Sequence, residues 1–284
     1  MGTSSKKNPL LKQKDLSVTA LYTSQAWVWG QFQGSHLYET DQSKGVFGMT
    51  NLALLLMKLF RWKTPSLHHS LVQRHTLIDQ WVHTHKPSTV IELASGLSAR
   101  SLRFIDQVNR YVEVDLEHVI NFKKACLDHN QHSLLSHPKM LWVPFDLKEL
   151  DQTSLSTWTQ GQKSTVIAEG LMMYLNQEQQ QSMWTHLAKG LSSKSTLIFD
   201  FVPATEQAPP GWIGKTLGWC MRQFTGGQSF VIDQRDRFDI INELKECGFA
   251  QVELFDVSSP QHQAQFNLPF RHKRTQNLVF VASL

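Results

Sequence analysis

Residues Thr89–Asp115 read TVIELASGLSARSLRFIDQVNRYVEVD. An apolar run, Val90 to Leu93, enters a small-residue turn, Ala94-Ser95-Gly96. A helix-like segment follows, and a second apolar run, Tyr111 to Val114, ends on Asp115. This is the pattern of a β-turn-α-β unit. Its acid lies nineteen residues after Gly96, close to the spacing at which a carboxylate meets a ribose in nucleotide-binding α/β folds. The stretch therefore predicts an adenosine-containing cofactor without saying which one.

Working outward, Ser66 to Thr84 has the apolar spacing of an amphipathic helix, and Pro87 separates it from the first strand. Strand-like runs recur at Lys139–Val143, Ser164–Gly170, Ser195–Phe201, Ala250–Val257 and Asn277–Ser283. Helical stretches alternate with the first five, so an α/β fold with a mainly parallel, seven-stranded sheet is expected. Val18–Trp62 breaks the alternation and reads as a cap of short helices, with Asp41 and Lys44 in a loop-like centre. The expected organisation is a tail and helical cap over residues 1–66 and a core over 67–284. A Pro-, Gly- and aromatic-rich insertion interrupts the core at 203–230.

Composition narrows the function. The chain has 284 residues, 41% of them hydrophobic, with nine Trp and sixteen Phe, which suits a folded protein with large aromatic surfaces. A formal charge of +4 with scattered Lys and Arg gives no reason to expect nucleic acid. The thirteen His show no ligand spacing, so no metal is expected. Three cysteines without a CxxC read as free thiols of a reducing compartment. Neither the N-terminus nor Leu52–Phe60 is a long apolar run. A cytoplasmic protein without membrane partners is expected, and its oligomeric state is left open.

Acids stand at successive strand ends: Glu92, Asp115, Asp146 and Glu169. A nicotinamide cofactor would ask for G-x-G-x-x-G/A, but the chain has Ala94-x-Gly96-x-x-Ala99. S-adenosylmethionine carries no phosphate and brings a sulfonium and an ammonium, which suit carboxylates. The acids favour the sulfonium cofactor.

The runs ELASGLSAR, YVEVDLEHVINFKK and VIAEGLMMYL together resemble the leucine carboxyl methyltransferase family, with its E-L-G-x-G-L-D-x-R, V-D-L-x-x-V and A-E-G-x-L-x-Y-L motifs. The form A-x-G-L-S is similar to its bacterial polyketide O-methyltransferase branch, of the tetracenomycin type. The resemblance covers residues from about 70 to 190. It implies a class I, Rossmann-like S-adenosylmethionine-dependent methyltransferase with helices on both faces of the sheet. By the same resemblance Arg74 holds the cofactor's methionine carboxylate, Gly96 meets its methionyl part and Asp115 its ribose, and Leu116 is counted among the cofactor-binding residues. Asp146 and Leu147 sit at the adenine, Glu169 near the amine and reacting centre, and Tyr174 near the substrate. Glu92 joins the cofactor-binding set, and Glu169 and Tyr174 are the catalytic candidates. Ala94 and Ser98 depart from the family's glycine and aspartate.

A carboxylate acceptor is ionised at neutral pH and needs no base, whereas an alcohol needs one. His36, His75 and Tyr174 are the candidates for that base. Arg222 and Arg271 could clamp a carboxylate, and Trp27, Trp29, Trp212, Trp219 and Phe224 could line an apolar pocket. The expected reaction is O-methylation of a small organic or polyketide-like acceptor, a carboxylic acid foremost. The alternatives are a peptide C-terminal carboxylate, a non-catalytic cofactor-binding module and a nicotinamide-dependent oxidoreductase.

Overall fold

A computed structural model describes residues 16–59, 66–203, 233–273 and 275–284. Of the insertion at 203–230 only Pro203 is among them, so Trp212, Trp219, Arg222 and Phe224 lie outside the described residues. The β-turn-α-β unit forms two adjacent strands of the sheet. Strands β1 (Thr89–Leu93) and β2 (Arg110–Asp115) run parallel, with Thr89 opposite Arg110 and Leu93 opposite Val114. The short helix α4 (Arg100–Phe104) crosses between them.

The remaining strands are β3 (Met140–Pro144), β4 (Ser164–Ala168), β5 (Thr196–Phe201), β6 (Gln251–Asp256) and β7 (Leu278–Ser283). They form one sheet in the order β3-β2-β1-β4-β5-β7-β6. β1 to β5 are parallel, and β7 is antiparallel to both β5 and β6. The strand order reverses between β1 and β4, and open α/β sheets bind ligands beyond the carboxyl ends of the strands at such a point. This is the expected mainly parallel seven-stranded sheet.

Alternation along the strands sends side chains into two cores. On one face Val90, Tyr111 and Ile198 pack with Leu77, Ile78 and Trp81 of α3 (Leu67–His85) and Val119 and Phe122 of α5 (Glu117–His129). On the other, Ile91, Val112 and Phe199 pack with Trp158 of α6 (Gln152–Thr159), Trp184 and Leu187 of α7 (Gln177–Gly190), and Ile240 and Leu244 of α8 (Arg237–Cys247). Gly248 stops α8 in the left-handed conformation, φ +116°, as its place after the last apolar residue predicts.

The N-terminal segment departs from expectation. It holds two long helices, α1 (Val18–Trp29) and α2 (Asp41–Leu59), instead of several short ones. Asp41 and Lys44 belong to the first turn of α2. The reason is local: Thr40 N donates to Ser43 Oγ and Ser43 N to Thr40 Oγ1, each at 3.0 Å. This reciprocal cap starts the helix despite Gly45 and Gly48. Lys44 reaches back to Glu39 at 3.1 Å. Among the described residues no helix is long and apolar enough to cross a membrane.

Candidate cofactor and reaction site

The turn after β1 is built for close approach. Ala94 and Gly96 both have left-handed backbones, φ +49° and +50°. Asp115 ties this turn to the end of β2: one oxygen accepts from Gly96 N and the other from Leu116 N, both at 2.7 Å. Burial raises the Asp115 carboxyl above its usual range, against the pull of those two backbone donors. A Cβ on Gly96 would meet nothing nearer than Ala94 O at 3.9 Å, so the space over the turn is open for a ligand. Phe145 N donates to Asp115 O at 2.8 Å, which brings Asp146 and Leu147 alongside Leu116. Leu116 is 41% exposed, an apolar ledge beside two carboxylates that suits an adenosine.

Alanine in the first glycine position carries strain, because an L-residue with left-handed backbone costs on the order of 1–2 kcal/mol. Ala94→Gly removes that strain at some cost in unfolded-chain entropy. It should stabilise the fold by about 1 kcal/mol, read as a rise in Tm of roughly 2 °C. No rise would mean that the turn accommodates alanine without strain.

Behind the turn lies a buried cluster of charges. Arg74, 3% exposed, donates from Nε to Glu169 Oε1 at 2.9 Å and from Nη1 to Asp200 Oδ2 at 2.5 Å. Asp200 also accepts from Gly170 N at 2.5 Å, fixing the left-handed turn at Gly170, φ +72°. Arg100, fully buried, joins three acids: Asp79 at 2.7 Å, Glu169 at 2.5 Å, and Glu92. The other Glu92 oxygen accepts from Tyr111 Oη at 2.9 Å, so this acid lies beneath the turn and holds Arg100. Burial opposes ionisation of Glu169, but the hydrogen bond from His75 and the charges of Arg100 and Arg74 outweigh it and hold its carboxyl well below the usual range. Asp200 goes the other way, raised by burial despite Arg74.

Tyr174 closes a 3-10 turn, Met172–Tyr174. Its phenol hydrogen-bonds with Thr19 of α1 and lies near Arg74 and Asp200; burial raises it above its usual value. The structure thus brings Arg74, Gly96, Asp115, Glu169 and Tyr174 to the carboxyl ends of the strands, with Leu116, Asp146 and Leu147 at the β2–β3 side. It leaves His36 in a separate 3-10 turn, Ser35–Tyr38, and Arg271 on its own loop, bonded to Leu268 O and Asn267. A depression lined by Thr89, Arg110, Lys139 and Gln162 opens at the amino ends of the strands, away from this chemistry. Among the described residues no group of acids, His or Cys could hold a metal.

Sequence reasoning gave Asp79, Arg100, Arg103 and Asp200 no role. A signal for the first three was present: His75 and Asp79 are four apart on α3, Arg100 and Arg103 three apart on α4, spacings that place like-facing pairs on a helix.

Residues 26–188 match the leucine carboxyl methyltransferase family. An inferred S-adenosyl-L-methionine-dependent methyltransferase of Mycobacterium bovis is 36% identical over 118 residues, 40% of this chain and 38% of the relative. The chain thus spans about two fifths of that relative's length. A similarly named protein of Mycolicibacterium paratuberculosis is 28% identical over 179 residues, 58% of this chain and 62% of that one. In fold, the crystal structure of an inferred methyltransferase from Thermobifida fusca aligns with a TM-score of 0.61 over 99% of both chains, at 13% identity. With more than half of its length matching the family, this chain belongs to the leucine carboxyl methyltransferase family.

Proposed function

We propose that this chain is an S-adenosylmethionine-dependent O-methyltransferase that acts on a carboxylate of a small organic or polyketide-like acceptor. The observation that carries the reading is the pairing of the Asp115–Gly96 clasp with the Arg74–Glu169 pair at the point where strand order reverses. S-adenosylmethionine supplies a methyl group on a sulfonium, already electrophilic without acid assistance. Asp115 receives the ribose hydroxyls, and Leu116, Asp146 and Leu147 receive the adenine. Arg74 has N–H groups left beyond its two acids and directs them at the methionine carboxylate. Glu169 stays ionised and receives the ammonium.

The choice of carboxylate over hydroxyl rests on proton traffic. Glu169 already accepts from Arg74, Arg100 and His75, and Asp200 from Arg74 and Gly170. Both ring nitrogens of His75 are engaged. These groups are poorly placed to take a proton from an alcohol, and a carboxylate has none to give up. Tyr174, protonated at pH 7 like any tyrosine and more so for its burial, donates to the acceptor oxygen and aims it in line with the methyl group.

Calorimetric titration with S-adenosylmethionine and with NADPH tests the cofactor: binding of the first and not the second is expected, and the reverse sinks the reading. A panel of carboxylic acids, phenols and alcohols with labelled methyl donor tests the acceptor, with label expected on the acids. Tyr174→Phe should lower turnover about tenfold with cofactor affinity kept. Unchanged turnover removes Tyr174 from the reaction.

A further inference from the structure

His75 and four other buried or half-buried side chains, from three separate segments in all, close a hydrogen-bonded ring. Glu169 Oε2 accepts from Arg100 Nη2 at 2.5 Å, and Arg100 Nε donates to Asp79 Oδ1 at 2.7 Å. Asp79 Oδ2 accepts from Arg103 Nε at 2.8 Å. Arg103 Nη2 lies 2.7 Å from His75 Nε2, and His75 Nδ1 lies 2.9 Å from Glu169 Oε2. The imidazole is fully buried. Its ring stacks on Trp27 at 4.1 Å and 24°, with the edge of Phe32 at 4.6 Å.

The ring of partners selects one tautomer. An arginine N–H only donates, so Nε2 beside Arg103 must accept, and the hydrogen sits on Nδ1, pointed at Glu169. Arg100 Nη2 is also 2.8 Å from Nδ1, but both hydrogens converge on the shared Glu169 oxygen. The opposite tautomer would set Nε2–H against Arg103 with no acceptor between them and turn a lone pair on a carboxylate. An imidazolium would face both arginines.

We propose that His75 is a positioning residue, locked as the neutral Nδ1–H tautomer by Arg103, that clamps Glu169 in the orientation in which it receives the cofactor's ammonium. Burial and Arg100 lower the His75 pKa, in keeping with a ring that stays neutral. The clamp rests on the cofactor reading given above. It also accounts for His75 being a poor base: its acceptor nitrogen is already engaged by Arg103 at 2.7 Å.

Two substitutions separate the nitrogens. Asparagine places an amide N–H near the Nδ1 position and keeps a donor toward Glu169. Glutamine places its amide near the Nε2 position, keeps an acceptor for Arg103 and withdraws the donor. Both lose the stack on Trp27. Relative to His75→Asn, His75→Gln should lose at least about tenfold more affinity for S-adenosylmethionine, the worth of one charge-assisted hydrogen bond. Long-range proton–nitrogen spectra of the wild-type histidine rings should show one ring with hydrogen on Nδ1 that stays neutral through the range where an ordinary imidazole titrates. Equal losses in the two variants, an Nε2–H tautomer, or protonation in that range each overturns the clamp while leaving the cofactor assignment standing. Failure of the wild-type chain to bind S-adenosylmethionine overturns that assignment and the clamp with it.

Discussion

Asp115→Asn should weaken S-adenosylmethionine binding at least about a hundredfold while the chain still folds. Both carboxylate oxygens of Asp115 hold backbone N–H groups at 2.7 Å, and the same group is the acceptor for the ribose. An amide keeps the shape but replaces one acceptor oxygen with a donor. It would then face Gly96 N or Leu116 N donor to donor and open the turn that the cofactor must approach. Charge-assisted hydrogen bonds contribute about 1.5–3 kcal/mol each. Loss of one to the turn and one to the ribose therefore removes about 3 kcal/mol or more, which is two decades in Kd. Stability should suffer less, because burial already makes the ionised carboxylate costly and the amide does not pay that penalty. Calorimetric titration and thermal melting of the variant measure the two effects. Affinity within a few-fold of the wild type would remove Asp115 from the ribose site.

What the sequence made legible was what period and spacing encode. The apolar runs located β1 and β2. The family motifs then named side chains that the fold does bring to one end of the sheet. Glu92 shows where this kind of reading loses precision. It stands among the strand-end acids, but strand parity sends it to the helix side, onto Arg100 and Tyr111. The ring around His75 was beyond reach for another reason. Its members come from positions 75, 79, 100, 103 and 169, and spacing within each helix cannot say that the two helices and the turn after β4 converge. Helix α2 was missed because its start depends on two side chains capping each other, a contact that outweighs the two glycines that follow.

The same parity sets up the largest stability effect. Glu92 and Glu113 are opposite each other on β1 and β2, two buried acids on one face of the sheet, each neutralised from the helix layer. Arg100 serves Glu92. Lys123 of α5 pairs with Glu113, both side chains wholly buried, and also donates to Ser98 O at 2.8 Å. Lys123 thereby supports the glycine turn at the position where the family aspartate is replaced by Ser98. Lys123→Met keeps the volume but leaves Glu113 buried beside Glu92 without its cation. Breaking a buried pair in this way costs about 3–5 kcal/mol, or a fall in Tm of roughly 10 °C. Removing the acid as well, in Lys123→Met with Glu113→Leu, should recover about 2 kcal/mol of that loss, since apolar replacement of both partners is tolerated where removal of one is not. The pH dependence has a definite sign. Burial already raises the Glu113 carboxyl against the pull of Lys123, and losing Lys123 raises it further. The folded variant then holds a proton that the unfolded chain gives up near pH 4.3. Its deficit against the wild type is fullest above the raised folded-state pKa and shrinks as pH falls through that pKa toward the unfolded value. Melting the single and double variants at pH 8 and at about pH 5 tests both statements. A deficit that grows on acidification, or a double variant no more stable than the single, would show that Lys123 supports the turn through Ser98 alone.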